Sequence, residues 1–207
     1  GRARRHEEHQ GDGPARRDVR LLERDPHGHA GPRHLLYAEG YRAFNADCFK
    51  KSFTLARSLG VETALDFSSF GVVEACRKLF DELFAEKMID IIIANEDEAY
   101  AYAGVKEEAA LDVLAQKAKV AVVKIGKRGA LIAKDGKVTR VQAGPAKAID
   151  TTGAGDLWAS GFLYGYMNGW DMERSGNLGS AVSNEVVQVM GAQIPEDGWE
   201  RILAARG

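Results

Sequence analysis

A run of small residues precedes the most apolar helical segment of the chain. Asp150 to Gly155 reads Asp-Thr-Thr-Gly-Ala-Gly, and Asp156 follows directly. Small side chains in a row offer little for packing, so they favour close approach of the backbone to a bound group. The apolar spacing after them predicts a helix from Ala154 to Asn168, and a helix N-terminus has unpaired N–H groups and partial positive charge. The run therefore predicts an anion site, with phosphate as the anion.

Asp156 falls in the first turn of this predicted helix, beside the anion. A carboxylate there is stabilised by the helix dipole and can accept a proton from a hydroxyl held nearby. An anion hole and a base within one turn suit phosphoryl transfer, in which the protein mainly positions groups and neutralises charge. The alternative is a glycine-rich loop in which Asp156 only caps the helix.

The seven-residue string, with Phe162 and Gly165 after it, resembles the second signature of the phosphofructokinase B family of ribokinase-like carbohydrate kinases. The adenosine-kinase-like and sugar-kinase members are the most similar. The resemblance implies that Asp156 is the catalytic base and that three backbone amides form the anion hole, those of Gly153, Ala154 and Gly155. It also implies ATP and Mg²⁺ as cofactors and a small sugar or nucleoside as substrate.

Asn95 and Glu98 match a second motif of the same family, Asn-x-x-Glu, which the family links to magnesium and phosphate handling. They follow a predicted apolar strand, Ile89 to Ala94. On their own, these residues indicate an Asn cap with acids in the first helical turn. Oxygen ligands that leave the ion partly hydrated suit Mg²⁺ bridged to nucleotide phosphates. Because the two roles can coexist, we expect both.

The resemblance assigns further residues to the nucleotide and to a monovalent cation such as K⁺. The family's Gly-x-x-Gly loop borders the nucleotide, although this spacing alone marks only a turn; here it assigns Lys124, Gly126 and Gly129. The adenine is expected near the helix predicted from Met172 to Met190, which assigns Asn184 and Gly191. The monovalent cation is expected at Asp150 and Thr152.

Composition narrows the class of protein. A chain of 207 residues has room for one substantial core, and its formal charge of -2 gives no reason to expect nucleic acid or an acidic membrane as partner. Cys48 and Cys76 are isolated, which fits a reduced cytoplasmic compartment. Since no apolar run approaches membrane-spanning length and no signal core begins the chain, we expect neither insertion nor secretion.

Residues 1–34 differ from the rest: they hold all five histidines but no lysine and no aromatic residue. With so few large apolar groups we expect this head to be disordered or not native to the family, such as a reading-frame artefact or a truncation scar. Two alternatives stay open. One is an Arg-rich nucleic-acid arm, whose charge acidic residues dilute, and the other is a histidine metal cluster that lacks supporting carboxylate spacing.

From Leu35 onwards, strands and helices alternate. Strands are predicted over 35–38, 63–67, 89–94 and 120–125, with helices over 45–59, 70–86 and 107–119. A hairpin joins 130–133 to 137–141 through Asp135-Gly136, and a last helix covers 199–205. This order predicts an α/β fold with a mostly parallel sheet covered on both faces and ligands beyond the strand C-termini. The resemblance makes it the three-layer ribokinase-like fold.

The resemblance covers residues 35–207. Family members are longer, and their N-terminal half supplies a Gly-Gly signature, most substrate contacts and a β-sheet lid, through which many relatives form homodimers. None of these is recognisable here. Three functions are therefore weighed: an ATP-dependent kinase for a hydroxymethyl group of a sugar or nucleoside, impaired by the missing half; a non-catalytic nucleotide-binding fragment; and a nucleic-acid-associated protein that uses the Arg-rich head.

Overall fold

The computed structural model of the chain describes residues 34 to 206. Six strands in chain order form its sheet. They are β1 (Leu35–Glu39), β2 (Glu62–Asp66), β3 (Ile91–Asn95), β4 (Val120–Lys124), β5 (Ala130–Lys134) and β6 (Lys137–Val141). The first four strands pair in parallel, and β4, β5 and β6 pair antiparallel. The predicted mostly parallel sheet is confirmed.

Helices cover both faces of the sheet. They are α1 (Ala46–Ser58), α2 (Phe70–Ala85), α3 (Glu96–Ala103), α4 (Glu107–Ala115), α5 (Ala154–Met167), α6 (Met172–Val186) and α7 (Glu196–Arg206). Two short 3-10 helices, Gly40–Phe44 and Gly126–Arg128, follow β1 and β4. None of the helices between residues 34 and 206 combines the length and apolar content needed to cross a membrane.

The core lies on the two faces of the central strands. In β3, Ile92 packs on the face covered by α1 to α4, whereas Ile91 and Ile93 pack on the face covered by α5. Successive side chains of a strand point to opposite faces, so a strand buried on both faces needs an unbroken apolar run. The predicted α/β fold, with a helical layer on each side of the sheet, is confirmed.

Close packing of α5 against α6 fixes the direction of α5. A side-chain carbon at Gly161 would lie 2.9 Å from the Cα of Gly179, so the two helices approach within a distance that only glycine permits at this point. Trp158 of α5 donates its indole N–H to the Ser180 hydroxyl of α6 at 3.3 Å. These contacts hold the N-terminus of α5 at the edge where the parallel strands end.

Helix α6 is shorter than the sequence predicts. It ends at Val186 rather than Met190, because the N–H groups of Gln188 and Val189 bond three residues back, to the carbonyls of Glu185 and Val186, instead of four. Just beyond the helix, the Val187 carbonyl accepts the N–H groups of Ile149 and Asp150. Two other boundaries differ from the prediction: α4 ends at Ala115 rather than at residue 119, and β3 begins at Ile91 rather than at residue 89. The early end of α6 ties its C-terminal turn to the loop that leads into α5.

Candidate active site

A crevice of about 1480 Å³ runs along the C-terminal edge of the parallel strands. The last residues of β1, β2, β3 and β4 reach it, and the N-terminus of α5 faces it from the opposite side. Most of the residues that the sequence assigned to catalysis or binding line this crevice: Asn95, Glu98, Lys124, Gly126, Gly129, Gly153, Ala154, Gly155, Asp156 and Asn184. Asp150, Thr152 and Gly191 do not.

The turn that enters α5 has the backbone geometry of an anion site. Gly153 has a φ of 74°, which favours glycine, and a side-chain carbon there would lie 2.7 Å from the Cβ of Ala192. The Ala154 N–H donates to the Thr151 carbonyl at 3.1 Å, so this amide serves the turn itself. Within residues 34 to 206, no acceptor takes the N–H of Gly155 or Asp156. These two amides are therefore open to a ligand.

The Asp156 side chain is exposed and lines the crevice. Among the described residues its carboxylate accepts no hydrogen bond, and Gly153, the N-cap residue of α5, has no side chain to cap the helix. A hydrogen-bonded cap formed by Asp156 is therefore not present in this part of the chain. A free carboxylate in the same helical turn as open amides has the relative placement that a base beside a phosphoryl group requires.

Asn95 and Glu98 form a capping box at the start of α3. The Asn95 Oδ1 atom accepts the Glu98 N–H at 2.9 Å, and Glu98 Oε2 accepts the Asn95 N–H at 2.8 Å. The Asn95 amide also donates to Glu98 Oε1 at 2.8 Å. Burial raises the pKa of Glu98 from its ordinary 4.5 to about 7, although the hydrogen bond from the Asn95 backbone lowers it. The cap is present, and both side chains still line the crevice.

Asp66, at the end of β2, is a crevice residue that the sequence interpretation missed. It is buried, and its carboxylate accepts the Ser68 N–H at 2.8 Å and the Lys124 ammonium at 3.1 Å. Burial is the main cause that raises the pKa of the neighbouring Tyr37 phenol. The negative charges of Asp66 and Asp156 raise it further. An acid at the end of an apolar strand was the available signal, but its partner lies 58 residues along the chain.

Asp150 fastens the loop before α5 to the turn after α6. Its Oδ1 atom accepts both the N–H and the hydroxyl of Thr152, at 2.9 and 2.7 Å, and its Oδ2 atom accepts the Gly191 N–H at 2.9 Å. The Thr152 hydrogen bonds, followed by that of Gly191, lower the pKa of Asp150. These three residues thus stabilise the wall of the crevice, and their assignments to a monovalent cation and to the adenine stay predictions.

The remaining assigned residues form one end of the crevice. Gly126 and Gly129 enclose the short 3-10 turn, which closes through the Gly129 N–H on the Gly126 carbonyl at 2.9 Å. The turn that their spacing alone would indicate is therefore present. Across the opening, Asn184 donates its amide to the Pro145 carbonyl at 3.3 Å and so holds the segment between β6 and α5.

Comparison with known proteins identifies the family of this chain. Residues 23–198 match the family described as pfkB family carbohydrate kinase. The chain belongs to the pfkB family of carbohydrate kinases. The resemblance drawn from the Asp-Thr-Thr-Gly-Ala-Gly-Asp string is thereby confirmed.

Two solved structures of this class resemble the chain over most of its length. A probable sugar kinase from Rhizobium etli matches with a TM-score of 0.78 at 32% identity, covering 83% of this chain and 53% of that one. Adenosine kinase from Sinorhizobium meliloti matches with a TM-score of 0.76 at 31% identity, covering 82% and 54%. The chain thus spans about half the length of these structures, and the predicted ribokinase-like fold is confirmed.

One relative is also similar in sequence over a shorter stretch. An uncharacterized sugar kinase from Archaeoglobus fulgidus is 40% identical over 75 residues, which are 36% of this chain and 30% of that protein. The pfkB chain therefore has relatives named for sugars and a structural counterpart named for adenosine.

Proposed function

We propose that the chain carries the nucleotide site and the catalytic base of an ATP-dependent kinase that phosphorylates a hydroxymethyl group of a sugar or nucleoside. One observation carries the proposal: the open amides of Gly155 and Asp156 and the free Asp156 carboxylate face the same crevice. Membership of the pfkB family supports the reaction class.

The proposed step transfers the terminal phosphoryl group of ATP to the acceptor oxygen. The acceptor oxygen forms a bond to the terminal phosphorus while the bond from that phosphorus to the bridging oxygen of ADP breaks. Asp156 takes the proton of the hydroxyl as its oxygen becomes nucleophilic. The amides of Gly155 and Asp156 and the dipole of α5 stabilise the negative charge on the phosphoryl oxygens.

The side-chain oxygens of Asn95 and Glu98 fit a site for a Mg²⁺ ion that is also bound by the phosphates of the nucleotide. Mg²⁺, when bound, neutralises charge on the phosphates. Because each Glu98 oxygen already accepts one hydrogen bond from Asn95, the carboxylate is oriented before any ion arrives and keeps lone pairs for the waters of a hydrated ion. Glu98 must be ionised in this role, which links it to pH.

The two ends of the crevice suit different ligands. One end is enclosed by the Gly126 turn, by Asn184 of α6 and by Val187 just after that helix, and we assign it to the nucleotide. Glu39, Tyr41 and Ser68 line the other end, beyond β1 and β2, which we assign to the acceptor. Carboxylate and hydroxyl groups at that end can form hydrogen bonds with an acceptor that has several hydroxyl groups.

The homodimer that the family resemblance implies stays a prediction.

Acceptor-dependent turnover of ATP tests the proposal. Purified chain is incubated with Mg²⁺, ATP and a panel of sugars and nucleosides, and the phosphorylated acceptor is measured. Asp156→Asn should abolish product, whereas Asp112→Asn, an exposed carboxylate on α4 outside the crevice, should leave turnover unchanged. Unchanged turnover in Asp156→Asn would overturn the base assignment.

Coverage of about half of the solved relatives favours a second candidate, a nucleotide-binding fragment without turnover. An acceptor must be held within hydrogen-bond reach of Asp156, so loss of acceptor contacts removes turnover before it removes nucleotide binding. Mg²⁺·ATP binding without product for any acceptor would support this candidate. The nucleic-acid alternative rests on residues 1–34, whose first 33 lie outside the described residues.

A further inference from the structure

A buried hydroxyl lies beneath the crevice and has no part in the function proposed above. It belongs to Tyr37, the third residue of β1, whose ring packs with the core on the α5 face of the sheet. Within residues 34 to 206 this hydroxyl forms no hydrogen bond. A buried hydroxyl without a partner is unfavourable, and phenylalanine would fill the same space without that cost. The presence of tyrosine therefore indicates a partner that the hydroxyl meets in another state of the site.

The sheet brings Tyr37 close to the entry to α5. Strand β2 carries Asp66 on the same face, two residues beyond the position that pairs with Tyr37. Asp66 contacts the Lys124 ammonium at 3.1 Å, and a side-chain carbon at Gly155 would lie 3.2 Å from that same ammonium. The floor of the crevice therefore leads from Tyr37 through Asp66 to the first turn of α5, where Asp156 lies.

Asp156 has the unused acceptor atoms that this hydroxyl lacks. Among the described residues the Asp156 carboxylate accepts no hydrogen bond. Asp66 instead accepts two groups, the Ser68 N–H at 2.8 Å and the Lys124 ammonium at 3.1 Å. Burial, and then the charges of Asp66 and Asp156, raise the pKa of the Tyr37 phenol, so the phenol stays protonated and remains a donor. An unused donor and an unused acceptor thus lie at the same end of α5.

A nucleotide at the open amides of α5 changes the surroundings of Asp156. Negative phosphates repel the carboxylate, and its exposed side chain can turn towards the floor of the crevice. A neutral O–H donor can hold the carboxylate there without adding a charge. We propose that Tyr37 is a positioning residue for the base: with nucleotide bound, its hydroxyl donates to one oxygen of Asp156, and the other oxygen receives the proton of the acceptor. The inference rests on the proposed kinase function and deepens it.

Fluorine NMR of the full chain labelled with fluorotyrosine tests the contact without any need for turnover. Tyr37→Phe identifies the Tyr37 signal by its loss. Saturating Mg²⁺·ATP should shift this signal in wild type and in Asp112→Asn, whose exposed carboxylate on α4 lies outside the crevice. Asp156→Ala should lose the shift while calorimetry still detects Mg²⁺·ATP binding, because the acceptor of the hydrogen bond is gone. An equal shift in Asp156→Ala, or no shift in wild type with ATP bound, would overturn the inference.

Steady-state kinetics separates positioning of the base from a structural role. Tyr37→Phe should lower kcat by about 10-fold, the loss expected for one hydrogen bond to a charged group, and leave the KM for ATP within about 2-fold. Its melting temperature should stay within about 2 °C of wild type, because the hydroxyl has no partner among the described residues of the free chain.

Two kinetic results would overturn the inference and leave the proposed function standing. One is an unchanged kcat in Tyr37→Phe, and the other is a fall in kcat that comes with a lower melting temperature. If wild type binds ATP without turnover, the fluorine experiment alone decides. A wild-type chain that binds no Mg²⁺·ATP would instead overturn the proposed function, and this inference with it.

Discussion

The buried carboxyl group of Glu98 should make the unfolding free energy of the chain depend on pH, and this can be measured without any ligand. Its side chain is only 3% exposed, and burial raises its pKa from 4.5 to about 7. The perturbation is Glu98→Gln, which removes the titrating group and keeps one oxygen for the Asn95 N–H. The nitrogen of the substituted side chain then meets the Asn95 side-chain amide, so one of the three hydrogen bonds of the capping box is lost at every pH.

The size and sign of the effect follow from the two pKa values. At a pH between 4.5 and 7 the folded chain binds a proton at Glu98 that the unfolded chain releases. Stability therefore falls as the pH rises through this window and levels off above about 7. The difference between the two values corresponds to about 3 kcal/mol of unfolding free energy. The contribution of Glu98 is thus least favourable above pH 7, where the proposed metal role needs its charge.

Urea denaturation at several pH values from 4.5 to 8.5 measures this contribution. The difference in unfolding free energy between wild type and Glu98→Gln should change by about 3 kcal/mol across the range, with wild type gaining at low pH. Asp112→Asn, at an exposed carboxylate on α4 outside the crevice, should show no such change. A wild-type minus Glu98→Gln difference that stays constant from pH 4.5 to 8.5 would refute the assigned cause, which is burial of the carboxyl.

Two substitutions, one at a buried acid and one at the turn after β4, test how the scaffold is held. Asp90→Asn should lower the unfolding free energy by about 3 kcal/mol, because this 1% exposed carboxylate pairs with Arg57 and Lys119 at 3.2 and 2.9 Å; a urea midpoint equal to that of wild type would contradict it. Gly129→Ala should cost several kcal/mol or prevent folding, measured by thermal denaturation, because φ is 94° and the new carbon would lie 1.9 Å from the Val141 carbonyl oxygen. A melting temperature within about 2 °C of wild type would show that the turn can relax.

Local signals in the sequence predicted much of this fold. Asp135 and Gly136 both have positive φ, 51° and 75°, as the two-residue hairpin turn between β5 and β6 requires. Ser69, of a residue type that favours the N-cap position, accepts the Val72 N–H at the start of α2. Such features depend on residues a few positions apart, so a single segment contains the information. The run of small residues before α5 is likewise a local signal, because the whole turn lies within a few consecutive positions.

Features that depend on distant segments were missed. The pairing of Asp66 with Lys124 follows from the order of β2, β3 and β4 in the sheet, which no local pattern specifies. The attachment of the Asp150 loop to the Val187 carbonyl, just beyond the end of α6, likewise joins segments that are far apart in the chain. The use of the Ala154 N–H within its own turn became visible only with the backbone path. Sequence therefore predicted which residues gather at the crevice better than which atoms remain open to a ligand.

The central claim is that the open amides at the start of α5 face the terminal phosphate of ATP. Amide chemical shifts of the ¹⁵N-labelled chain, titrated in turn with Mg²⁺·ADP and Mg²⁺·ATP, test it most directly. We predict that the Gly155 and Asp156 amides shift strongly with ATP and much less with ADP. Amides at these two positions that do not move at saturating ATP, with the largest shifts outside the crevice, would contradict the account.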